Sequence, residues 1–536
     1  MTLCCHLAQY RPDTMVVLHV RAAQPGVPTT LTVRHLGSPV LARTLTLPAA
    51  DADLPLGSFP DGGYEVEFGD EVTAFDVSAD PNRYLRYGFL SDFHPADRDD
   101  ATDVDQLLRY RINAVQFYDW MYRHHEFLPP TEVFRDAMGR PVDLGAVKAK
   151  LASCRERGQR TLAYGAVYGA EAEYIDSRPD QRLYRADGSP LVFIGLIGFC
   201  NIAPGNPWVA QIVEQYRRTV ADLGFDGIHM DQYGYPKVAF DATGRAVDLE
   251  AAFVNLIGET KSALTAVRPD NTVLFNAVGD WPTTRVAPAP QDGVYIEVWD
   301  PHATLGHLMA LVRKAKALAP GKTVILAAYL HCFNEPGPDE PKIWGALTAT
   351  AFIAAAGGTH LLWGETCGAL AEGYYVNHRT YDPVWEPVIR GYCEFPVKYR
   401  DWIVGQAEDV SWDRVDGPNR EFLVEGWTVT PDGSKPGLTA SLRRLPGTLV
   451  VQLLHPASQG APVWNARASR PEVVENLTLR ILVEGRPARV VTASPDFDGG
   501  RLFDLPFTQE RLEEGTATVV VLPRLRLWSL VAILWD

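Results

Sequence analysis

Short runs of alternating apolar and polar residues fill both ends of the chain, and a different pattern fills the middle. Up to about Val77 the runs MVVLHV, TTLTVRHL, ARTLTL and GYEVEF are broken by Gly, Pro and Asp clusters at close spacing, which predicts a small β-sandwich. From about Ala407 onward EFLVEGWTVT, TLVVQLLHP, LTLRILVE, ARVVTA and LWSLVAILWD repeat that pattern. Between them, strand-like runs alternate with helical ones, as in parallel β/α architecture. Eight strands are predicted: RYGFLSDF (86–93), INAVQFYDW (112–120), RTLAYGAVYG (160–169), FDGIHMDQ (225–232), TVLFNAVGDW (272–281), GVYIEVWD (293–300), TVILAAYLH (323–331) and THLLWGE (359–365). Stretches such as NPWVAQIVEQYRRTVADL and AAFVNLIGETKSALTAV carry apolar residues at helical spacing between them. The expected fold is α/β, with a (β/α)8 TIM barrel over residues 84–405. An N-terminal immunoglobulin-like β-sandwich over 1–83 and a C-terminal β-sandwich over 406–536 flank it.

Active sites of such barrels lie at the C-terminal strand ends, and polar residues collect there. Asp92, Asp119, Trp120, Tyr168, Asp231, Gln232, Asn276, Asp280, Glu297, Trp299, His331 and Glu365 all fall at or just beyond a predicted strand end. Two runs stand out. FDGIHMDQYGYPK reads as a buried strand that delivers Asp231 into the open before Gly, Tyr and Pro end it. GVYIEVWDPH is β-branched and aromatic until Glu297 appears, then breaks at Pro301. Paired acids at strand ends point to glycosidase chemistry, in which one carboxylate attacks the anomeric carbon and a protonated carboxyl donates to the leaving oxygen. A strand-end acid taken alone is more often a helix cap or an ion-pair partner. His229 shares a strand face with Asp231 and either supports that carboxylate from below or simply packs the barrel.

Composition narrows the substrate. The 50 basic and 66 acidic side chains give a formal net charge of −16, which repels nucleic acid and anionic membranes. The 21 Tyr, 21 Phe and 13 Trp residues include several at strand ends where pyranose rings could stack, so a neutral oligosaccharide or polysaccharide is the expected partner. The seven cysteines are scattered without a CxxC pair, arguing against structural disulfides and a zinc site. Neighbouring His124 and His125 lack HxH or HExxH spacing, so substrate contact or loop packing is favoured over a metal. Gly357 and Gly358 sit in no phosphate-loop pattern and more naturally end a helix. Neither a metal nor a cofactor is expected. The start MTLCCHLAQYRPDTMVV lacks a basic, continuously apolar signal, which reads as cytoplasmic, or as secreted if the native N-terminus is missing. Oligomeric state is left open.

FYDW followed by His124 and His125, then AYGAVYGA, FDGIHMDQYG, FNAV and the YIEVW strand, resemble in that order the barrel of glycoside hydrolase family 66, the dextranases and cycloisomaltooligosaccharide glucanotransferases. The resemblance implies a retaining mechanism on α-1,6-linked glucan, with Asp231 as nucleophile and Glu297 as acid/base. It also implies that Tyr118, Asp119, Trp120, Tyr168, Gln232, Asn276 and Trp299 line the sugar sites. His124, His125, Asp92 and Glu365 complete the candidate substrate-binding set. The two carboxyl groups should stand about 5 to 5.5 Å apart, and burial beside Trp299 with repulsion from Asp231 should raise the pKa of Glu297. The glucanotransferases carry an inserted carbohydrate-binding module for which no loop here is long enough. Hydrolysis of dextran or isomaltooligosaccharides is therefore expected, with glucanotransfer, or a non-catalytic glycan-binding barrel, as alternatives. Family members are largely exported, so a cytoplasmic form would meet imported isomaltooligosaccharides rather than dextran.

Overall fold

In the computed structural model, which describes residues 1–405, 407–415, 421–456 and 463–535, each of the first seven runs predicted in the middle region forms a parallel strand shorter than the run itself. Strands β1 (Tyr87–Leu90), β2 (Ala114–Phe117), β3 (Arg160–Ala166), β4 (Gly227–Asp231), β5 (Thr272–Val278), β6 (Gly293–Glu297) and β7 (Thr323–Ala327) lie side by side in chain order. The eighth run is broken. Its first piece, β8 (Thr359–Leu361), pairs with β7, and its second, β9 (Trp363–Gly364), turns to β1, with Gly364 opposite Phe89. Most residues of these strands are buried on both faces, which explains why their sequences read as near-continuous apolar runs.

Helices cross between the strands, including Thr102–Arg109, Leu144–Glu156, Pro207–Arg218, Leu249–Val267, Leu305–Leu318 and Asp339–Ala355. Local chemistry sets their starts. Asp143 accepts from the backbone of Gly145, Asn206 caps a helix whose first residue is Pro207, and Thr304 and His307 form a reciprocal capping box. One short helical turn, Thr283–Val286, lies between β5 and β6, so the strand that carries Asn276 is joined directly to the one that carries Glu297. At the foot of β4, a methyl group on Gly227 would run into the backbone carbonyl of Thr272, so glycine lets these strands approach.

The N-terminal alternating runs form a three-stranded sheet (Thr2–Cys5, Val16–Arg21, Ala52–Gly57) and a four-stranded one (Pro28–His35, Ser38–Thr46, Gly62–Phe68, Glu71–Val77). They share a core that includes Leu3, Leu18, Val33, Val66 and Phe75. Buried Asp76 ties this region to the parallel sheet: its carboxylate takes Arg86 Nη2 at 2.9 Å and lies 3.6 Å from Arg400 Nη1. The C-terminal runs form a seven-stranded and a four-stranded sheet around their own core, which includes Leu442, Leu479 and Val531. Residues on the other face of that larger sheet, among them Val450, Leu530 and Trp528, belong to the same apolar cluster as the parallel sheet and its helices. Trp528 packs edge-on against Phe395, ring centroids 4.8 Å apart. The carbonyl of Ala355 accepts from Ser441 Oγ at 2.8 Å, Arg443 Nη2 at 3.2 Å and Gln452 Nε2 at 3.3 Å. Residues 406 and 536, the expected ends of the C-terminal region, lie outside the described residues. Among the described residues no helix is long and apolar enough to cross a membrane.

Candidate active site

Asp231 closes β4 and Glu297 closes β6, and between them β5 presents Asn276. The amide nitrogen of Asn276 donates to both, at 2.7 Å to Asp231 Oδ1 and 2.7 Å to Glu297 Oε2. The two oxygens therefore lie within ~5.4 Å of each other, the greatest span two such bonds allow. The other oxygen of Asp231 accepts from the hydroxyl of Tyr164 at 2.9 Å. Glu297 Oε1 faces Gly373, where a side chain would press on it at 3.1 Å and touch the rings of Tyr329 and Trp299.

Burial raises both acids. For Glu297, burial is followed by repulsion from Asp231, and its pKa is pushed up to about 7 against the pull of Asn276. Asp231 is raised to about 6 by burial, which hydrogen bonds from Asn276 and Tyr164 partly offset and the charge of Asp119 reinforces. Asp231 keeps two donors aimed at its anion. Glu297 has hydrogen bonds from Asn276, Trp299 and Tyr329, but burial and the charge of Asp231 outweigh them, so the pair's proton belongs on Glu297.

Below the acids lies an aromatic layer that includes His229. Its ring stacks on Tyr87 at 5.8 Å, meets Tyr295 edge-on at 4.7 Å, and its Nδ1 is 3.1 Å from the Tyr87 hydroxyl. Burial drives its pKa down to about 3. Of the two readings of His229, the packing one holds: it is a neutral ring in the floor of the site and makes no hydrogen bond to Asp231.

A cleft of about 420 Å³ opens above the acids, and Tyr118, Asp119, His124, Gln232 and Trp299 line it with Asp231 and Glu297. Asn276 lies just beneath, 3% exposed and occupied with the carboxylates. Asp119, at a left-handed φ of 50°, is raised to about 6 by burial despite Arg140 Nη2 at 3.5 Å. Five other candidates are placed elsewhere. Trp120 is fully buried against Phe225 and donates to the carbonyl of Tyr164, because the chain turns inward after Asp119. Tyr168 is also fully buried; its hydroxyl takes the backbone N–H of Tyr233 and donates to the carbonyl of Tyr235, shaping the loop after β4. His125 stacks on Tyr174 and shares Glu171 with His124, each Nδ1 2.7 Å from one carboxylate oxygen. Asp92 is exposed and accepts from the backbone of His94. Glu365 is buried but spent on Ser91, whose hydroxyl donates to it at 2.6 Å and whose backbone N–H donates at 3.0 Å.

The sequence profile of glycosyl hydrolase family 66 matches residues 8–532. The chain belongs to that family. Two cycloisomaltooligosaccharide glucanotransferases from Niallia circulans are similar to it. One is 28% identical over 298 residues, 50% of this chain and 30% of that protein, and the other 22% identical over 617, 86% of this chain and 63% of that protein. The chain thus spans less than two thirds of the length of these curated relatives. A Paenibacillus sp. cycloisomaltooligosaccharide glucanotransferase, solved with cycloisomaltoheptaose, shares the fold at a TM-score of 0.91 and 21% identity, with 99% of each chain covered. The maltogenic α-amylase AmyB of Thermotoga neapolitana superposes more loosely, at a TM-score of 0.52 and 11% identity over 85% of this chain and 99% of that one.

Several cleft residues of this family 66 chain escape the strand-end rule. Tyr164 lies inside β3, in register with His229 and one alternation below Asp231, yet its long side chain reaches the carboxylate. Phe193, Ile194 and Ile197 come from a small hairpin, Val192–Phe193 with Ile197–Phe199, that stands over the cleft. Phe193 stacks on Tyr233 at 4.0 Å, and Ile194 is 59% exposed. The sequence signal for this hairpin is VFIGLIGF, an apolar run whose turn, with positive φ at Ile194 and Gly195, leaves aliphatic side chains facing water. Gly373 and Tyr374 arrive on the loop after the eighth run, where no strand pattern announces them. Among the described residues no cluster of three or more His, Cys, Asp or Glu is arranged to hold a metal ion.

Proposed function

We propose that this family 66 chain is a retaining α-1,6-glucan-active enzyme that works by double displacement on a closed (β/α)8 barrel, residues 84–405, between β-sandwiches at 1–83 and 406–536. The pairing of β9 with β1 supports closure. The observation that carries the chemical reading is the shared amide of Asn276, which holds the two carboxylates at a spacing suited to direct attack rather than to an intervening water. In the first step the carboxyl of Glu297 gives its proton to the glycosidic oxygen. Asp231 attacks the anomeric carbon, the bond to the leaving sugar breaks, and a glycosyl ester forms. In the second step the Glu297 carboxylate takes a proton from water, whose oxygen displaces Asp231 and regenerates both acids.

Hydrolysis of dextran or isomaltooligosaccharides is the first reading of the second step. Transfer to a sugar hydroxyl is the second, favoured by two observations. The relatives are named as glucanotransferases, and apolar Phe193, Ile194, Tyr233 and Trp299 line much of the cleft, a surface suited to a sugar acceptor. Incubating the protein with dextran, isomaltotriose, starch and pullulan and resolving the products tests both. Shorter isomaltooligosaccharides signal hydrolysis, longer or cyclic ones transfer. Products from starch alone would reject the α-1,6 reading.

A further inference from the structure

Trp299 lines both the catalytic cleft and a second cavity of about 280 Å³, whose wall includes the segment Val463–Asn465 from the C-terminal region. We propose that this second cavity is a sugar subsite on the leaving-group side, holding a glucosyl unit of the departing chain or of an acceptor. The inference rests on the α-1,6-glucan reading of the acid pair and adds to it the place where the far part of the substrate lies.

Three observations carry it. The first is position. The cavity touches Trp299 and Tyr329, the two rings grouped with Glu297 around Gly373, and it does not reach Asp231 or Tyr164. A group beyond the proton donor and away from the nucleophile meets the leaving oxygen's side of the substrate. The second is composition. Trp299, 36% exposed, offers an aromatic face, while Asp300, His331 and Asn465 supply hydrogen-bonding groups around the rim, the mixture that holds pyranose rings and fixes their hydroxyls.

The third is construction. Trp464 is 5% exposed and donates its ring N–H to the carbonyl of His302 at 2.6 Å, and Val463 bridges to Thr304. The side-chain oxygen of Asn465 accepts the backbone N–H of His331 at 2.8 Å, and its amide nitrogen lies 3.1 Å from His331 Nδ1. The wall is thus fastened by named bonds to the segments that follow β6 and β7, and Asn465 sets the direction of the His331 ring. Binding then requires little ordering of the protein.

The test compares two substrates on the full-length chain. Isomaltosyl fluoride has a leaving group too small to enter the cavity; a long isomaltooligosaccharide fills it. His331→Ala should lower kcat/KM on the long substrate about 5- to 10-fold more than on the fluoride, the loss expected for one neutral hydrogen bond to a hydroxyl. Asn465→Ala, which frees the ring without removing it, should give the same bias at smaller size and serves if the first variant folds poorly. Equal losses on both substrates, or no loss on either, would overturn the subsite. Failure of the unaltered protein to act on any α-1,6-linked substrate would instead remove the reading on which it rests.

Discussion

Asp231 and Glu297 share one donor, each with one carboxylate oxygen 2.7 Å from Asn276 Nδ2. Each also lies in the other's field, so ionising one raises the cost of ionising the other. The order of that ionisation is what the proposed mechanism needs: Asp231 charged first, Glu297 last.

Replacing Asn276 with Ala should move the whole pH profile. The amide favours the charged form of both acids, so its loss raises both pKa values. Activity needs Asp231 ionised, which sets the acid limb, and Glu297 protonated, which sets the basic limb. Both limbs of kcat/KM should shift to higher pH, and kcat should fall about 10²- to 10³-fold, as for loss of a preorganised donor. Limbs that stay in place would show that Asn276 only fills space.

Tyr164→Phe should act on one limb only. Its hydroxyl touches Asp231 and not Glu297, so the acid limb should move up while the basic limb stays. A loss of roughly 10-fold in kcat/KM near neutral pH is expected for a single donor to a charged group. Movement of both limbs would mean that the two acids cannot be assigned separately.

Asp231→Asn should nearly abolish turnover of every substrate, because an amide cannot form the glycosyl ester. Glu297→Gln should retain the first step with isomaltosyl fluoride, whose leaving group needs little protonation, and added azide should release the stalled ester as glycosyl azide. Burst kinetics and detection of the azide product check this. Identical behaviour of the two variants on the fluoride would undo the division of roles.

Much of this site was legible because a buried strand that ends in an acid leaves a sharp mark: continuous apolar residues, then Asp231 or Glu297, then a chain break. Depth was not legible. Trp120 and Asp119 are neighbours in sequence, yet one enters the core and the other the cleft, because the left-handed turn at Asp119 is invisible to alternation. Glu365 carries the same strand-end mark as Glu297 but is claimed by Ser91. Period-2 spacing placed His229 on the right face without saying how far down, and at that depth it meets tyrosines. Phe193, Ile194 and Gly373 were missed because loops bring them in, and long-range packing fixes where loops go.

Asp76→Asn should destabilise the fold without touching the cleft. Burial would raise the Asp76 pKa, but the guanidiniums of Arg86 and Arg400 outweigh it and hold the group below its ordinary value. Losing that charge leaves buried arginines short of a partner, at a cost of about 3 to 5 kcal/mol. Since the folded pKa is depressed, the stabilisation is complete above the unfolded value of about 3.9 and is lost as pH falls through the folded one. Urea unfolding at neutral pH should show the full gap between the proteins, and the gap should close only in strong acid. An equal gap at every pH would point to packing instead of charge.

The three donors gathered on the carbonyl of Ala355, and the ring of Trp528 against Phe395, bear on how such an enzyme can be taken apart. A cut after residue 405 would strip those donors from a helix end and bare an aromatic face to water. The parallel-sheet region is therefore no cassette. Anyone grafting it onto another carrier, or trading its C-terminal sheet for a different one, must carry that contact surface along or rebuild it.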